Sequence, residues 1–332
     1  MLGWMVGVTT ASALRHRAMY DLDTPSVSAR LVAAMRGLGA SLPAPARDLA
    51  PDTVSVHLAG FPFSTAHTLV PAFLKRALLA HCPSLRRATL SMALRSRAID
   101  DVVRAFVANG GAQVLLLGAG LDARSVRLAH VFGDRVTLYE VDSPGSQRAK
   151  RAALARLQAQ PATRLRFVAH DFELEALDAM PLKLSTVGLN ASLPTCIVLE
   201  GVCQYLSAEA VDATLEVVKK LGNRKSLLVI NHLDPEHCAA WAAPFAWTNP
   251  ACWSFWLLFF TFVRKYAGEK LYSPHQGGVQ WGSRLGDYLH SKGYKLLWDR
   301  DDAATAAEAG MPTAVVQDIA GSGMHVALAQ VK

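Results

Sequence analysis

Gln113-Val-Leu-Leu-Leu-Gly118-Ala-Gly120-Leu-Asp122-Ala-Arg124 is the stretch on which the fold turns. The apolar run Val114 to Leu117 has the length and continuity of a strand buried on both faces. Gly118 ends it, and Gly120 follows one residue later. Glycine lets the backbone turn sharply and come close to a ligand, because it carries no Cβ. A strand, a glycine turn and a helix start form the opening of a βα unit. In a doubly wound sheet the carboxyl end of such a central strand is where ligands bind.

The rhythm repeats downstream. Val136 to Val141, Leu165 to Ala169, Thr195 to Leu199 and Leu227 to Ile230 read as four more short strands. Ala123 to Val131, Ser146 to Gln158 and Ala208 to Leu221 carry helical spacing between most of them. Strands alternating with helices predict an α/β fold with a doubly wound, mostly parallel sheet. A helix over Gly282 to Ser291, a strand over Tyr294 to Trp298, an Ala-rich loop and a last strand near His325 to Ala329 would finish it. Two late strands so close together predict an antiparallel edge, which brings the sheet to seven strands.

Upstream, Ser26 to Gly37, His67 to Leu79 and Ala98 to Val107 have apolar residues at helical spacing. The expected organisation is a helical extension over 1–110 and a ligand-binding domain over 111–332. Within the latter, residues 232–280 hold four of the seven Trp and form an aromatic-rich insert after the fifth strand. That insert reads as a lid over an apolar acceptor, as core packing, or as the face of a homodimer.

Composition excludes several classes. The chain has 332 residues, 51% of them hydrophobic and 18% charged, so disorder is ruled out. Five cysteines with no CxxC pair argue against a disulfide framework or a structural zinc site, and for a reducing compartment. The longest apolar run, Ala251 to Val263, is too short to span a bilayer. A soluble, cytoplasmic protein with no membrane partner is expected. The net charge of +7 is uneven: residues 1–110 hold 12 Lys/Arg against 6 Asp/Glu, and no acidic residue stands between Thr53 and Ile99. Such a segment is either a solvated basic face or a surface for an anionic partner.

Three strand tips carry chemistry. The second strand ends in Glu140-Val-Asp142, and Asp142 stands where an acidic side chain takes a ribose diol, or caps the helix after Pro144. The third ends in His170-Asp171-Phe172, either an acid and an aromatic that bond and stack on an adenine, or a turn residue followed by a core aromatic. The fourth ends in Glu200-Gly-Val-Cys-Gln-Tyr205-Leu. A carboxylate ending a buried strand is costly unless it is paired or faces a pocket.

Together these residues carry a resemblance. The sequence resembles the leucine carboxyl methyltransferase family and its bacterial small-molecule relatives, which are class I S-adenosylmethionine-dependent methyltransferases. Its glycine loop, its E-V-D-x-P at Glu140–Pro144 and its E-G-x-x-x-Y-L at Glu200–Leu206 stand in the family's order. Ala93-Leu-Arg95-Ser-Arg97-Ala-Ile-Asp100-Asp101 is similar to the family's Arg-bearing helix before the first strand. The resemblance runs from about Ser26 to the C-terminus. It implies S-adenosylmethionine as cofactor and a Rossmann-like methyltransferase fold. By it, Arg95 binds the methionyl carboxylate, Gly118 and Gly120 make room for the methionyl and ribose parts, and Asp142 holds the ribose. Asp171 and Phe172 frame the adenine, Glu200 faces the methionyl amino end, and Tyr205 is the catalytic candidate near the sulfonium and the acceptor. The chain departs from the family at Ala123, where Thr is favoured. It departs also at Ala29, where the carboxyl-methylating branch has a cofactor-binding Lys. The second departure points away from protein substrates and toward a small-molecule acceptor.

Methyl transfer from a sulfonium is an in-line displacement, so alignment can supply most of the acceleration. A carboxylate acceptor needs no base, whereas a hydroxyl does, and His170 and His232 are the histidines nearest the strand ends. His232-x4-His237-Cys238 lacks a fourth ligand at ordinary spacing, so no metal site is assigned. Two other readings compete with O-methylation. The GxGxxA spacing over Gly118, Gly120 and Ala123 also fits an NAD(P)-dependent oxidoreductase. The basic first third fits an RNA-directed methyltransferase, with nucleic acid the less expected partner.

Overall fold

The computed structural model describes residues 27–172, 175–234, 281 and 284–332. The insert reading for the aromatic stretch therefore falls on residues that, from 235 to 280, lie outside the described part.

Seven strands form one sheet in the order β3-β2-β1-β4-β5-β7-β6. They are β1 (Gln113–Leu117), β2 (Thr137–Asp142), β3 (Leu165–Ala169), β4 (Thr195–Leu199), β5 (Leu227–Leu233), β6 (Tyr294–Asp301) and β7 (Met324–Val331). The pairs among β1 to β5 are parallel. β7 runs antiparallel to both β5 and β6, so the expected antiparallel edge is present. The chain moves outward from β1 through β2 to β3, then returns to β4 on the other side of β1. That reversal opens a crevice at the carboxyl ends of β1 and β4.

Side-chain alternation along each strand splits the core in two. Val114 and Leu116 of β1 face one side, with Leu138, Val198 and Val229, and meet Ile99, Val103 and Phe106 of a long helix, Pro83–Ala108. Leu115 and Leu117 face the other side, with Val141, Leu199 and Ile230, and meet helices Met180–Thr186, Ala208–Lys219 and Leu285–Ser291. Every residue of β1 and β4 is buried, as strands covered on both faces are.

The long helix begins with Pro83 in its first turn, where the missing N–H has no partner to lose. It ends in a Schellman pattern. Gly110 and Gly111 donate to the carbonyls of Val107 and Phe106, with Gly110 at φ +86°. Sequence spacing located only its last third, because its first half faces helices rather than the sheet. There Leu85, Leu90 and Leu94 pack with Leu42, Leu49 and Leu79.

Two expectations are corrected. The helix read over His67 to Leu79 is two helices, Phe63–Leu69 and Ala72–His81, broken at Val70, whose backbone is extended ahead of Pro71. The Ala-rich segment after β6 is not a loop but two helices, Asp302–Glu308 and Thr313–Ile319. Asp301 caps the first by accepting from the Ala304 N–H at 2.7 Å. Ala306 and Ile319 then bury against Leu42, Leu85 and Leu94. Alanine is a strong helix former once such a face is covered. Among the described residues no helix is long and apolar enough to cross a membrane.

Candidate functional site

The glycine turn, Asp142, Asp171, Phe172, Glu200 and Tyr205 all lie at the carboxyl ends of β1 to β4, on one edge of the sheet. Gly118 sits at φ +69° and Gly120 at φ +43°, a backbone region that L side chains rarely adopt. A Cβ on Gly118 would stand 2.4 Å from Cγ2 of Val202. The turn is pinned to its neighbour strand, since the N–H groups of Gly118 and Ala119 both donate to the Val141 carbonyl, at 2.9 and 3.0 Å.

Asp142 closes the same turn. Its Oδ2 accepts from the Gly120 N–H at 2.6 Å, and its Oδ1 accepts from the Ser143 N–H at 2.7 Å. Burial pushes its pKa up, and those two backbone donors pull it back. Behind it, Glu140 and Lys150 pair at 2.6 Å in a fully buried position, and burial raises the Glu140 pKa against that partner. Ala29 stands against Gly120, 3.6 Å from where its Cβ would be.

Glu200 is the hub of the second half. Its Oε1 pairs with Arg36 and, at 2.7 Å, with Nε of Arg95; its Oε2 accepts from Arg124 at 2.6 Å. Burial opposes ionisation of Glu200, but Arg36, Arg124 and Arg95 outweigh it and hold the carboxyl well below its usual range. Arg124 is fully buried and also donates to Asp122 and, at 2.6 Å, to Asp100. Arg127 extends the chain of charges to Asp100 at 2.7 Å and Asp52 at 3.3 Å. Like Arg36 and Arg127, Arg95 has a buried Nε without a well-aligned hydrogen bond among the described residues. Its approach to Glu200 is an ion pair off the line of a good hydrogen bond, and its NH1 reaches Oδ1 of Asn231 only at 3.4 Å. Burial, together with Arg36 and Arg124, lowers its pKa against Glu200.

Asp171 and Phe172 sit one strand further out. Phe172 packs on the core beneath β3 and meets the His170 ring edge to face, with centroids 5.6 Å apart. His170 is fully buried, and burial lowers its pKa. Tyr205 ends a short 3-10 turn, Cys203–Tyr205, half-buried beside the glycine loop's partner Val202.

The structure thus joins Arg95 to Glu200 and Gly120 to Asp142, and places Asp171, Phe172 and Tyr205 on the same edge. Sequence reasoning assigned no role to Arg36, Arg124, Asp122 or Asn231. Arg36 had a signal: it lies seven residues after Ala29 on the Val27–Leu38 helix, hence on the same face. A cavity of about 560 Å³, bordered by Arg97, Asp101, Pro194, Lys225 and Trp298, lies at the opposite end of the strands and is separate from this site.

The leucine carboxyl methyltransferase family matches residues 29–219. A protein of Mycolicibacterium paratuberculosis, named as a candidate S-adenosyl-L-methionine-dependent methyltransferase, is 38% identical over 138 residues, covering 42% of each chain. One of the same description from Mycolicibacterium vanbaalenii is 38% identical over 143 residues, 43% of this chain and 46% of that one. The matched stretch therefore spans less than half the length of these relatives. A Thermobifida fusca structure described as a candidate methyltransferase superposes with a TM-score of 0.53 at 17% identity, covering 94% of this chain and 97% of that one. That likeness is one of fold.

Proposed function

The chain belongs to the leucine carboxyl methyltransferase family, and from that membership we propose that it is an S-adenosylmethionine-dependent methyltransferase. The acceptor we propose is a carboxylate or hydroxyl of a small molecule, methylated on oxygen by in-line displacement.

The observation that carries the reading is Arg95. It is a buried guanidinium whose Nε lacks a well-aligned hydrogen bond, beside a carboxylate that it shares with Arg36 and Arg124. A zwitterionic amino acid end fits there: its carboxylate meets Arg95, and its ammonium meets Glu200. The glycine turn supports the same ligand, because a Cβ at Gly120 would project into the space beside Asp142. In this reading Asp142 takes the ribose hydroxyls with the lone pairs that Gly120 and Ser143 leave open, and Asp171 and Phe172 border the adenine. When bound, the cofactor supplies an activated methyl group. The chain's own contribution is to hold both ends of the donor, exclude water and set the line of approach, with Tyr205 at the acceptor side. Ala29, in place of a lysine beside Gly120, supports a small-molecule acceptor over a protein one.

Calorimetry with S-adenosylmethionine and with S-adenosylhomocysteine tests the cofactor: micromolar uptake of both is expected. Tight NAD(H) binding with neither of these taken up would install the oxidoreductase reading instead. A metabolite extract incubated with methyl-labelled S-adenosylmethionine, followed by base, then separates acceptors, since methyl esters hydrolyse and ethers survive.

A further inference from the structure

A second cluster of chemistry lies three strands away from Asp142, on the antiparallel part of the sheet. His232 of β5 and His325 of β7 are direct cross-strand partners. Asp299 of β6 pairs with Ala327, two residues along β7 from His325, so its side chain shares the same face. Oδ1 of Asp299 lies 3.1 Å from Nε2 of His232 and 3.2 Å from Nδ1 of His325. One ligand atom from each of the three falls within 4.8 Å of the others.

We infer that His232, Asp299 and His325 form a binding site for a divalent transition-metal ion of the zinc class. The inference stands apart from methyl transfer and uses none of the residues assigned to the cofactor.

Three observations carry it. The two nitrogen–oxygen separations are long for charge-assisted hydrogen bonds, which run about 2.7–2.9 Å. They are close to the spacing of about 3.3 Å between neighbouring ligands of a tetrahedral ion with bonds of about 2.0–2.1 Å. Secondly, each ligand is held by a ladder: residues 227–233 pair with 324–330, and 299–301 with 325–327. The site is thus built before any ion arrives. Finally, His232 is 3% exposed, with the Trp281 ring edge-on against it at 5.7 Å. Its Nε2 meets the Asp299 oxygen that it shares with His325, and its Nδ1 has no partner among the described residues. The ring is thus packed with Nε2 turned toward Asp299 and His325, the nitrogen that would bind the ion. Two imidazoles and one carboxylate suit zinc or cobalt, and leave a fourth position open for water.

The test uses the full chain, stripped with a chelator and titrated with Co²⁺ alone, then with Zn²⁺ against a chromophoric chelator. Expected are one equivalent bound and the intense visible absorption of four-coordinate cobalt. Both should be lost in D299N and H325A, with Zn²⁺ affinity falling by about ten-fold or more. His325 is only partly buried, so H325Q, which keeps a polar side chain on the same strand, serves if H325A does not fold. Absence of saturable uptake, or uptake unchanged in D299N and in the folded His325 variant, would reduce the cluster to a hydrogen-bonded triad and overturn the site.

Discussion

Arg95, on the long helix that precedes β1, and Glu200, at the tip of β4, stand 2.7 Å apart, Nε to Oε1, both almost wholly buried. The same oxygen serves Arg36, and the other serves Arg124. One carboxylate thus answers to three guanidiniums, with Asp122 and Asp100 on Arg124 and Asp302 near Arg95 completing the network. At the Arg95 end the approach to Glu200 is off the line of a good hydrogen bond, and Asn231 is reached only at 3.4 Å.

The balance is sharpest at Arg124. R124M removes the cation that holds Asp100, Asp122 and Glu200 together, leaving buried carboxylates short of a partner. Breaking a buried pair on one side costs about 3–5 kcal/mol. Urea unfolding of R124M is expected to show a loss of that size, and a loss below about 1 kcal/mol would show that the network is not structural.

Arg95 should behave differently. R95M removes one of three cations on Glu200, whereas R124M removes the partner of three carboxylates, so the stability cost of R95M is expected to be smaller than that of R124M. Its effect on ligand uptake is expected to be larger. Charge-assisted hydrogen bonds contribute about 1.5–3 kcal/mol, so calorimetry should find S-adenosylhomocysteine bound roughly ten- to hundred-fold more weakly. Unchanged affinity in R95M would remove Arg95 from the cofactor site.

At Gly118 the clash and the backbone are separable. In G118A the new Cβ meets Val202 at 2.4 Å and also strains a residue held at φ +69°. The double variant G118A/V202A relieves the first and leaves the second, which is about 1–2 kcal/mol. Its urea midpoint is therefore expected between those of G118A and V202A. A double variant no better than G118A would mean that backbone strain alone sets the requirement for glycine.

Asp302 sets a pH dependence. It is buried beside Arg95, and its Oδ2 accepts from Ser322 at 2.7 Å. Burial pushes its pKa up to about 7, against the pull of Ser91, Ser322 and Arg95. A carboxyl whose folded pKa lies above its unfolded value, about 3.9, stabilises the fold fully at lower pH. It loses that contribution as the pH rises through 7. Glu200 is shifted the other way, so its contribution is complete above about pH 4.3 and is lost only under acid. Between pH 5 and 8 the Asp302 effect remains: wild-type stability should fall with pH more steeply than that of D302N, by urea midpoints. Parallel curves would show that Asp302 does not titrate in this range.

Much of this was legible before any coordinates. Asp142 sat at a strand end a fixed distance past the glycines, and it does close the glycine turn. The strands β3 and β4 lie where their apolar runs lie. The Ala-rich segment after β6 misled, because a helix of seven residues is marginal by itself however good a helix former alanine is, and the cover that steadies it comes from Leu42 and Leu85, far away in the chain. Arg124 was visible as a residue but not as the centre of a charge network, since nothing local says that Asp100 and Glu200 converge on it.

Local periodicity and glycine placement, which depend on neighbours a few residues apart, determined the strands, the turn and the class of the fold. What only the tertiary structure decided is which charges share a dielectric and a distance. Arg36, Arg95 and Arg124 meet at Glu200, and His232, Asp299 and His325 meet across three strands, because parallel crossovers and antiparallel register bring them within a few ångströms. Coulomb energy follows that separation in space and takes no account of separation along the chain.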